Sequence, residues 1–170
     1  AGAGRVTDDP DLIEPWLSDW RGKFHGRAVA ILAPRSTQEV ASMMTLAHAL
    51  RVPIVPQGGN SSMVGGATPP ADGSALILSL RAMNHILSLD PEANLAVCEA
   101  GVILSNLHDA AEAAGRRFPL SLGAKGSATV GGLVSTNAGG TQVLRHGTMR
   151  ALVEGIEAVL PDGSIHDGIA

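Results

Sequence analysis

The 170-residue chain contains no tyrosine and one cysteine, and aromatic residues make up only 2% of it. A single cysteine, Cys98, rules out an internal disulfide and any cysteine-rich metal site. It fits a reducing compartment, and a cytoplasmic protein is expected. No block of Lys or Arg occurs and the formal net charge is -4, so the basic density that neutralises nucleic-acid phosphates is missing. No apolar run approaches the ~18 residues of a membrane span. The segment Ala1–Asp9 lacks the charged-then-apolar order of a signal peptide. Internal repeats, a Gly-X-Y period and a low-complexity linker are also absent. What remains is ordinary: 45% hydrophobic and 16% charged residues, in a length that suits one domain with a real core. The exception is glycine, with 21 residues. Glycine costs backbone entropy on folding, so this density points to main chain approaching a ligand closely.

Residues 1–27 read as an irregular lead-in anchored by Trp16, Trp20 and Phe24. Strands are expected at Ala28–Leu32, Val52–Val55 (interrupted by Pro53 and stopped by Pro56), Ala75–Ser79, His85–Leu89, Leu95–Ala100 and Ile156–Leu160. Ser36 and Glu39 form a capping-box pattern, and Val40, Met43, Met44, Ala47 and Leu50 behind them recur at helical spacing. Leu104, Leu107, Ala111 and Ala114 predict a second amphipathic helix ended by Gly115 in the C′ role. Asp90–Asn94 and Pro161-Asp162-Gly163 read as turns. Strands and helices mix without regular βαβ repetition, which predicts an α+β fold.

Two glycine-rich segments carry the chemistry. The first, Pro56-Gln57-Gly58-Gly59-Asn60-Ser61-Ser62 followed by Gly65-Gly66, follows a strand. Successive amides in such a loop can form a concave nest for an anion, with small polar side chains adding hydrogen bonds. A long flexible loop is the competing reading. The second, Leu120–Gly140, holds almost nothing larger than leucine. It matches neither Gly-x4-Gly-Lys-Ser/Thr nor Gly-x-Gly-x-x-Gly: in Lys125-Gly126-Ser127 a glycine separates lysine from serine. Two backbone-exposing segments in one small domain suit a long, doubly phosphorylated cofactor threading between two subdomains.

The first loop resembles the FAD loop of flavoproteins typified by vanillyl-alcohol oxidase and p-cresol methylhydroxylase (PCMH-type). Leu78–Ser88, Leu122-Gly123-Ala124-Lys125-Gly126-Ser127, Gly131-Gly132, Thr136–Gly140, Leu144-Arg145-His146-Gly147 and Val159–Gly163 narrow the resemblance. Together they are similar to the D-2-hydroxyglutarate, D-lactate and glycolate dehydrogenase group, over about Ala28–Ile165. The resemblance implies a PCMH-type FAD-binding domain at residues 28–170, made of two α+β subdomains with the cofactor between them. Pro56, Gln57, Gly58, Gly59, Asn60, Ser61 and Ser62 would serve the pyrophosphate. Ser121, Gly123, Ser127, Thr129, Gly131 and Gly132 would run beside the ribityl and adenosine parts. Asn137 and Gly140 would lie near the isoalloxazine, and Ile156 and Val159 on the adenine side. Some relatives attach FAD through a histidine of the first loop; this loop has none, so non-covalent FAD is expected.

The implied reaction is oxidation of a 2-hydroxy acid by hydride transfer from the hydroxyl-bearing carbon to flavin, with an acceptor other than NAD. Family members are longer, and a following domain supplies their substrate-binding arginine and catalytic histidines. No catalytic residue and no metal is therefore assigned to this chain, which alone should be inactive and open to self-association through uncovered apolar surface. Alternatives are another flavoprotein of the fold (a lactone oxidase or a cell-wall precursor reductase) or a non-catalytic nucleotide-binding module. No histidine pair has metal-ligand spacing. His48 and His108 are read as exposed polar-face residues. His146 faces either a flavin or a structural hydrogen bond, Lys125 either a phosphate or solvent. Cys98 is read as a small buried hydrophobe.

Overall fold

The computed structural model describes residues 5–169. Ala1–Gly4 of the lead-in and the last residue of the expected domain, Ala170, lie outside the described residues. The lead-in is more regular than its composition implies. Val6–Thr7 form strand β1, and Pro10–Ile13 form a helical turn, α1, capped by Asp9, which accepts from the Asp11 amide at 3.0 Å. A 3-10 turn follows over Glu14–Trp16. Ile13 and Leu17, four residues apart on this helical stretch, are the anchors and are buried. Of the expected anchors, Trp16 packs partly buried on this cluster, whereas Trp20 is 70% exposed and Phe24 45%. Bulk did not decide burial here; helical phase did.

Strand β2 (Ile31–Leu32) pairs antiparallel with β1. Helix α2 (Thr37–Leu50) starts at Ser36, whose hydroxyl accepts from the Glu39 amide at 3.2 Å. The Glu39 carboxylate reaches back one residue further than in a standard capping box, to the Arg35 amide at 2.8 Å. Arg51 ends the helix in the left-handed region at φ 55°, its amide bonded to the Ala47 and His48 carbonyls. Strand β3 (Ile54–Gln57) runs through Pro56 rather than stopping there. The sheet order β1-β2-β4-β3, with β4 at Leu76–Ser79, explains this: β3 is an edge strand, where a missing N–H is tolerated. Strands β2, β4 and β3 are parallel.

Two antiparallel hairpins complete the strands. In β5 (Ile86–Asp90) and β6 (Leu95–Cys98) the turn is closed by Asp90, which accepts from the amides of Glu92 (2.9 Å) and Ala93 (3.0 Å). β7 (Glu157–Val159) and β8 (Ile165–Asp167) turn at Gly163, whose φ of 87° suits glycine. Between the hairpins lie helix α3 (Leu104–Ala113), ended by Gly115 at φ 70°, and two short helices, α4 (Val130–Ser135) and α5 (Val143–His146). α4 lies inside the second glycine segment, where low propensity gave no sign of a helix. It forms because Leu133 is buried and Gly131 packs against Ala100, where a Cβ would stand 2.7 Å from the alanine methyl.

The core is divided. Ile13, Leu17, Ile31 and Ile77 gather on one face of the β1-β2-β4-β3 sheet, and Val40 of α2 packs with Leu78 and Met83 on the other. A third part gathers Leu104, Leu120, Ala128, Leu133 and Met149 around α3 and α4. Main chain joins it to the Leu78–Met83 part at Gly101, whose amide donates to the Met83 carbonyl at 2.7 Å; a Cβ there would stand 2.2 Å from the Leu80 oxygen.

Candidate functional site

The first glycine loop leaves the end of β3 and is held by side chains from the lead-in. Buried Gln57 donates through Nε2 to the carbonyls of Trp16 (3.1 Å) and Ala67 (2.8 Å), tying both ends of the loop. Asn60, left-handed at φ 51°, donates through Nδ2 to the Ser18 carbonyl at 2.8 Å. Arg21 donates to the Met63 carbonyl, and the Phe24 ring lies against Gly65. The lead-in segment is itself fixed by Asp19, whose carboxylate accepts from the amides of Phe24 (2.7 Å), Lys23 (2.6 Å) and Arg21 (3.3 Å). The Phe24 hydrogen bond above all holds the Asp19 pKa below its usual value. This role of residues 16–24 had no signal in the sequence beyond an aspartate near a glycine.

With its ends tied, the loop presents main chain. Among the described residues, no protein acceptor takes the amide hydrogens of Gly59, Asn60, Ser61 or Ser62. Asn60 Oδ1 is buried without a partner. Such orphaned groups are costly unless a ligand or water meets them.

The two glycine segments come together. A Cβ on Gly58 would stand 2.1 Å from Thr129 Oγ1, and one on Gly59 would stand 1.6 Å from the Ser127 carbonyl oxygen. Thr129 is buried, and the Ile103–Thr129 bridge and the Leu104 amide (to the Ala128 carbonyl, 2.9 Å) lock this stretch to α3. Backbone carbonyls thus do the work that a side-chain cap would do at the start of α3.

A groove of about 290 Å³ opens at this junction, lined by Trp16, Gly59, Arg81 and Asn84 from one side and by Gly101, Ile103, Asn106, Gly126, Ser127 and Thr129 from the other. Gly126 and Gly123 face open space. Gly140 packs against Ser121, where a Cβ would stand 2.1 Å from the serine carbonyl oxygen. A separate open cavity of about 310 Å³ is lined by Arg117, Thr141, Gln142, Leu144, Arg145 and His146.

The expected residues therefore divide. Gly58, Gly59, Ser127 and Thr129 meet, with Asn60, Ser61 and Ser62 in the same loop. Pro56 is exposed on the edge strand, and the Gln57 amide is occupied internally, so neither offers a side chain to a ligand. Gly131 is used up in packing, Gly132 is exposed, and Asn137 Oδ1 accepts from the Arg150 amide at 2.9 Å. Ile156 and Val159 line neither cavity. Val159 packs beside Val40, Leu78 and Met83, and the β7–β8 hairpin rests on α2 through the Thr37–Glu157 hydrogen bond. His108 is half-buried rather than an exposed polar-face residue: its Nε2 lies 2.8 Å from the Leu120 carbonyl, fixing the start of the second segment. Trp16, Arg81, Asn84 and Asn106 were missed as groove residues, since no glycine pattern surrounds them. Among the described residues no group of three or more His, Cys, Asp or Glu is placed to hold a metal. Among the described residues no helix is long and apolar enough to cross a membrane.

Comparison with known proteins places this geometry. A family model described as FAD binding domain matches residues 28–168. The chain is 46% identical over 162 residues to a mitochondrial D-2-hydroxyglutarate dehydrogenase of Bos taurus, covering 95% of this chain and 29% of that protein. It is 42% identical to the mitochondrial D-2-hydroxyglutarate dehydrogenase of Arabidopsis thaliana (98% of this chain, 29% of that one). It is 39% identical to a putative mitochondrial D-lactate dehydrogenase of Schizosaccharomyces pombe (99% and 31%). The chain thus spans less than a third of the length of these relatives. Solved structures of an alkyldihydroxyacetonephosphate synthase (TM-score 0.86, 23% identity, 98% of this chain and 32% of that one) and of 6-hydroxy-D-nicotine oxidase from Arthrobacter nicotinovorans (TM-score 0.82, 23% identity, 98% and 36%) share its fold. The cytoplasmic expectation is corrected by these relatives, which are named as mitochondrial. A lone cysteine reports on redox environment, not on which reducing compartment holds the chain. An α+β fold in which two glycine segments meet at a groove, and a family model spanning residues 28–168, lead to one conclusion: the chain belongs to the FAD binding domain family.

Proposed function

We propose that this chain is the FAD-binding part of a flavin-dependent 2-hydroxy-acid dehydrogenase or oxidase of D-2-hydroxyglutarate, D-lactate or glycolate type, and that it holds FAD without a covalent bond. In this reading residues 28–170 make up the flavin unit and residues 1–27 the lead-in, whose described residues 16–24 brace the first loop. The observation that carries the reading is the seating of Gly58 and Gly59 on Thr129 and Ser127, beside a row of amides without acceptors. The residues fit a dinucleotide. Any side chain on Gly59 would fill the space where backbone meets backbone. The free amides of Gly59 to Ser62 are donors for phosphate oxygens, and Asn60 Oδ1 is an acceptor for a sugar or ribityl hydroxyl. Ser127 and Thr129 line the groove on the other segment, and in this reading Ser121, Gly123, Gly132, Asn137 and Gly140 would flank the cofactor beyond it.

When bound, FAD supplies the acceptor for a hydride from the hydroxyl-bearing carbon. This chain's own residues bind and orient; the groups that hold substrate and move its proton belong to a further domain of the whole protein. The relatives' names support D-2-hydroxyglutarate and D-lactate as substrates to try first. Leu144, fully exposed beside Arg145 and His146, marks apolar surface that a further domain or a second copy would cover.

Titrating the purified chain with FAD tests the reading. Saturable binding is expected, with all flavin released into the supernatant on acid precipitation. Flavin retained in the pellet would overturn the non-covalent part, and absence of binding the whole. Dye-coupled oxidation of the three hydroxy acids by the full-length protein tests the substrate class.

A further inference from the structure

We propose that Arg81, whose guanidinium lies over the Trp16 ring, is a recognition residue for the diphosphate of the bound dinucleotide. The inference rests on the flavin-domain reading and adds a charged side chain to a diphosphate site whose other donors are main-chain amides. Arg81 sits in the 3-10 turn Leu80–Ala82 that follows β4, and its guanidinium carbon lies 4.3 Å from the centroid of the Trp16 ring. Trp16 is a firm platform. It packs on the cluster of Ile13, Leu17, Ile31 and Ile77, and its carbonyl accepts from buried Gln57. A cation over an indole face is attracted by the ring quadrupole, which holds the guanidinium at the groove before any ligand arrives.

An exposed arginine is ordinarily a solvated surface charge or half of a surface ion pair. Arg81 departs from both. Among the described residues no carboxylate or carbonyl accepts from its guanidinium, although the chain carries 16 acidic residues against 12 Lys and Arg. It is also the one charged residue among those lining the groove. The others are apolar, glycine, or neutral polar: Asn84, Asn106, Ser127 and Thr129. A groove with one planar cation, no carboxylate, and Gly59 on its wall has the chemistry of a site for a diphosphate. On a chain of net charge -4, that local cation offsets the repulsion an anionic ligand meets at longer range.

The test compares wild type with Arg81→Gln and Arg81→Lys, titrating each with FAD, ADP and riboflavin by calorimetry at several salt concentrations. ADP carries the diphosphate without the flavin, and riboflavin the flavin ring without phosphate. Charge-assisted hydrogen bonds of this kind predict a loss of about tenfold or more in FAD and ADP affinity for Arg81→Gln. Riboflavin binding should be unchanged, the salt dependence of FAD binding shallower, and Arg81→Lys intermediate. Unchanged FAD and ADP affinity with an unchanged salt slope would overturn the proposal. So would an equal loss for all three ligands, which would mark a general distortion. Wild-type protein that binds ADP through Arg81 but no FAD would sink the flavin reading while leaving the anion site standing; binding of neither would end both.

Discussion

The α-carbon of Gly59 lies so close to the main-chain carbonyl of Ser127 that a methyl group on the glycine would stand 1.6 Å from that oxygen. These residues are far apart in sequence, and their contact on the groove wall sets the first loop against the second. Around it the site is graded: Gly58 and Gly59 are sterically required, whereas Gly123 and Gly126 have open space where a side chain would go.

That gradation predicts how alanine substitutions rank. Gly59→Ala should lower the unfolding free energy by about 1–3 kcal/mol, the range for forcing atoms into a packed position. Gly126→Ala should stay within about 0.5 kcal/mol. Urea unfolding of both variants measures this, and the reverse order would mean that the loop does not rest on Ser127.

Gln57 holds the two ends of the loop through one amide nitrogen. Gln57→Leu keeps the bulk and strands the carbonyls of Trp16 and Ala67. A cost of about 1–3 kcal/mol is expected, with faster hydrogen exchange over residues 58–67. Exchange unchanged in that segment would show that the amide does not hold it.

Asp19 ties the lead-in through three amides, and its carboxyl titrates below the ordinary 3.8, chiefly because of the Phe24 hydrogen bond. A depressed folded-state pKa contributes stability that is fully present above the unfolded value and fades as pH falls through the folded one. The melting temperature of wild type should therefore exceed that of Asp19→Asn at neutral pH, and the gap should close as pH drops below 3.8. A gap constant across that range would assign the difference to shape rather than charge.

Burial pushes the Cys98 thiol above its ordinary 9.0. Native protein at neutral pH should react with a thiol-specific chromogenic reagent far more slowly than protein unfolded in urea. Equal rates would place the thiol in solvent.

Local chemistry was legible in the chain itself. Ser36 starts its helix, Gly115 ends another, Asp90 and Gly163 make their turns, and each depends on groups only a few residues apart. The α+β character follows from the same short-range signals, and the resemblance carried by the glycine motifs led to the flavin domain. Tertiary contacts decided the rest. Edge position lets β3 run through Pro56, burial of Leu133 makes a helix of a glycine-rich stretch, and packing on Val40, Leu78 and Met83 draws Val159 away from the groove. Trp16 and Arg81 meet across more than sixty positions of sequence, and no spacing rule announces such a pair. The physical reason is range: caps and turns are settled by hydrogen bonds to near neighbours, whereas a groove exists only once distant segments have been packed against one another.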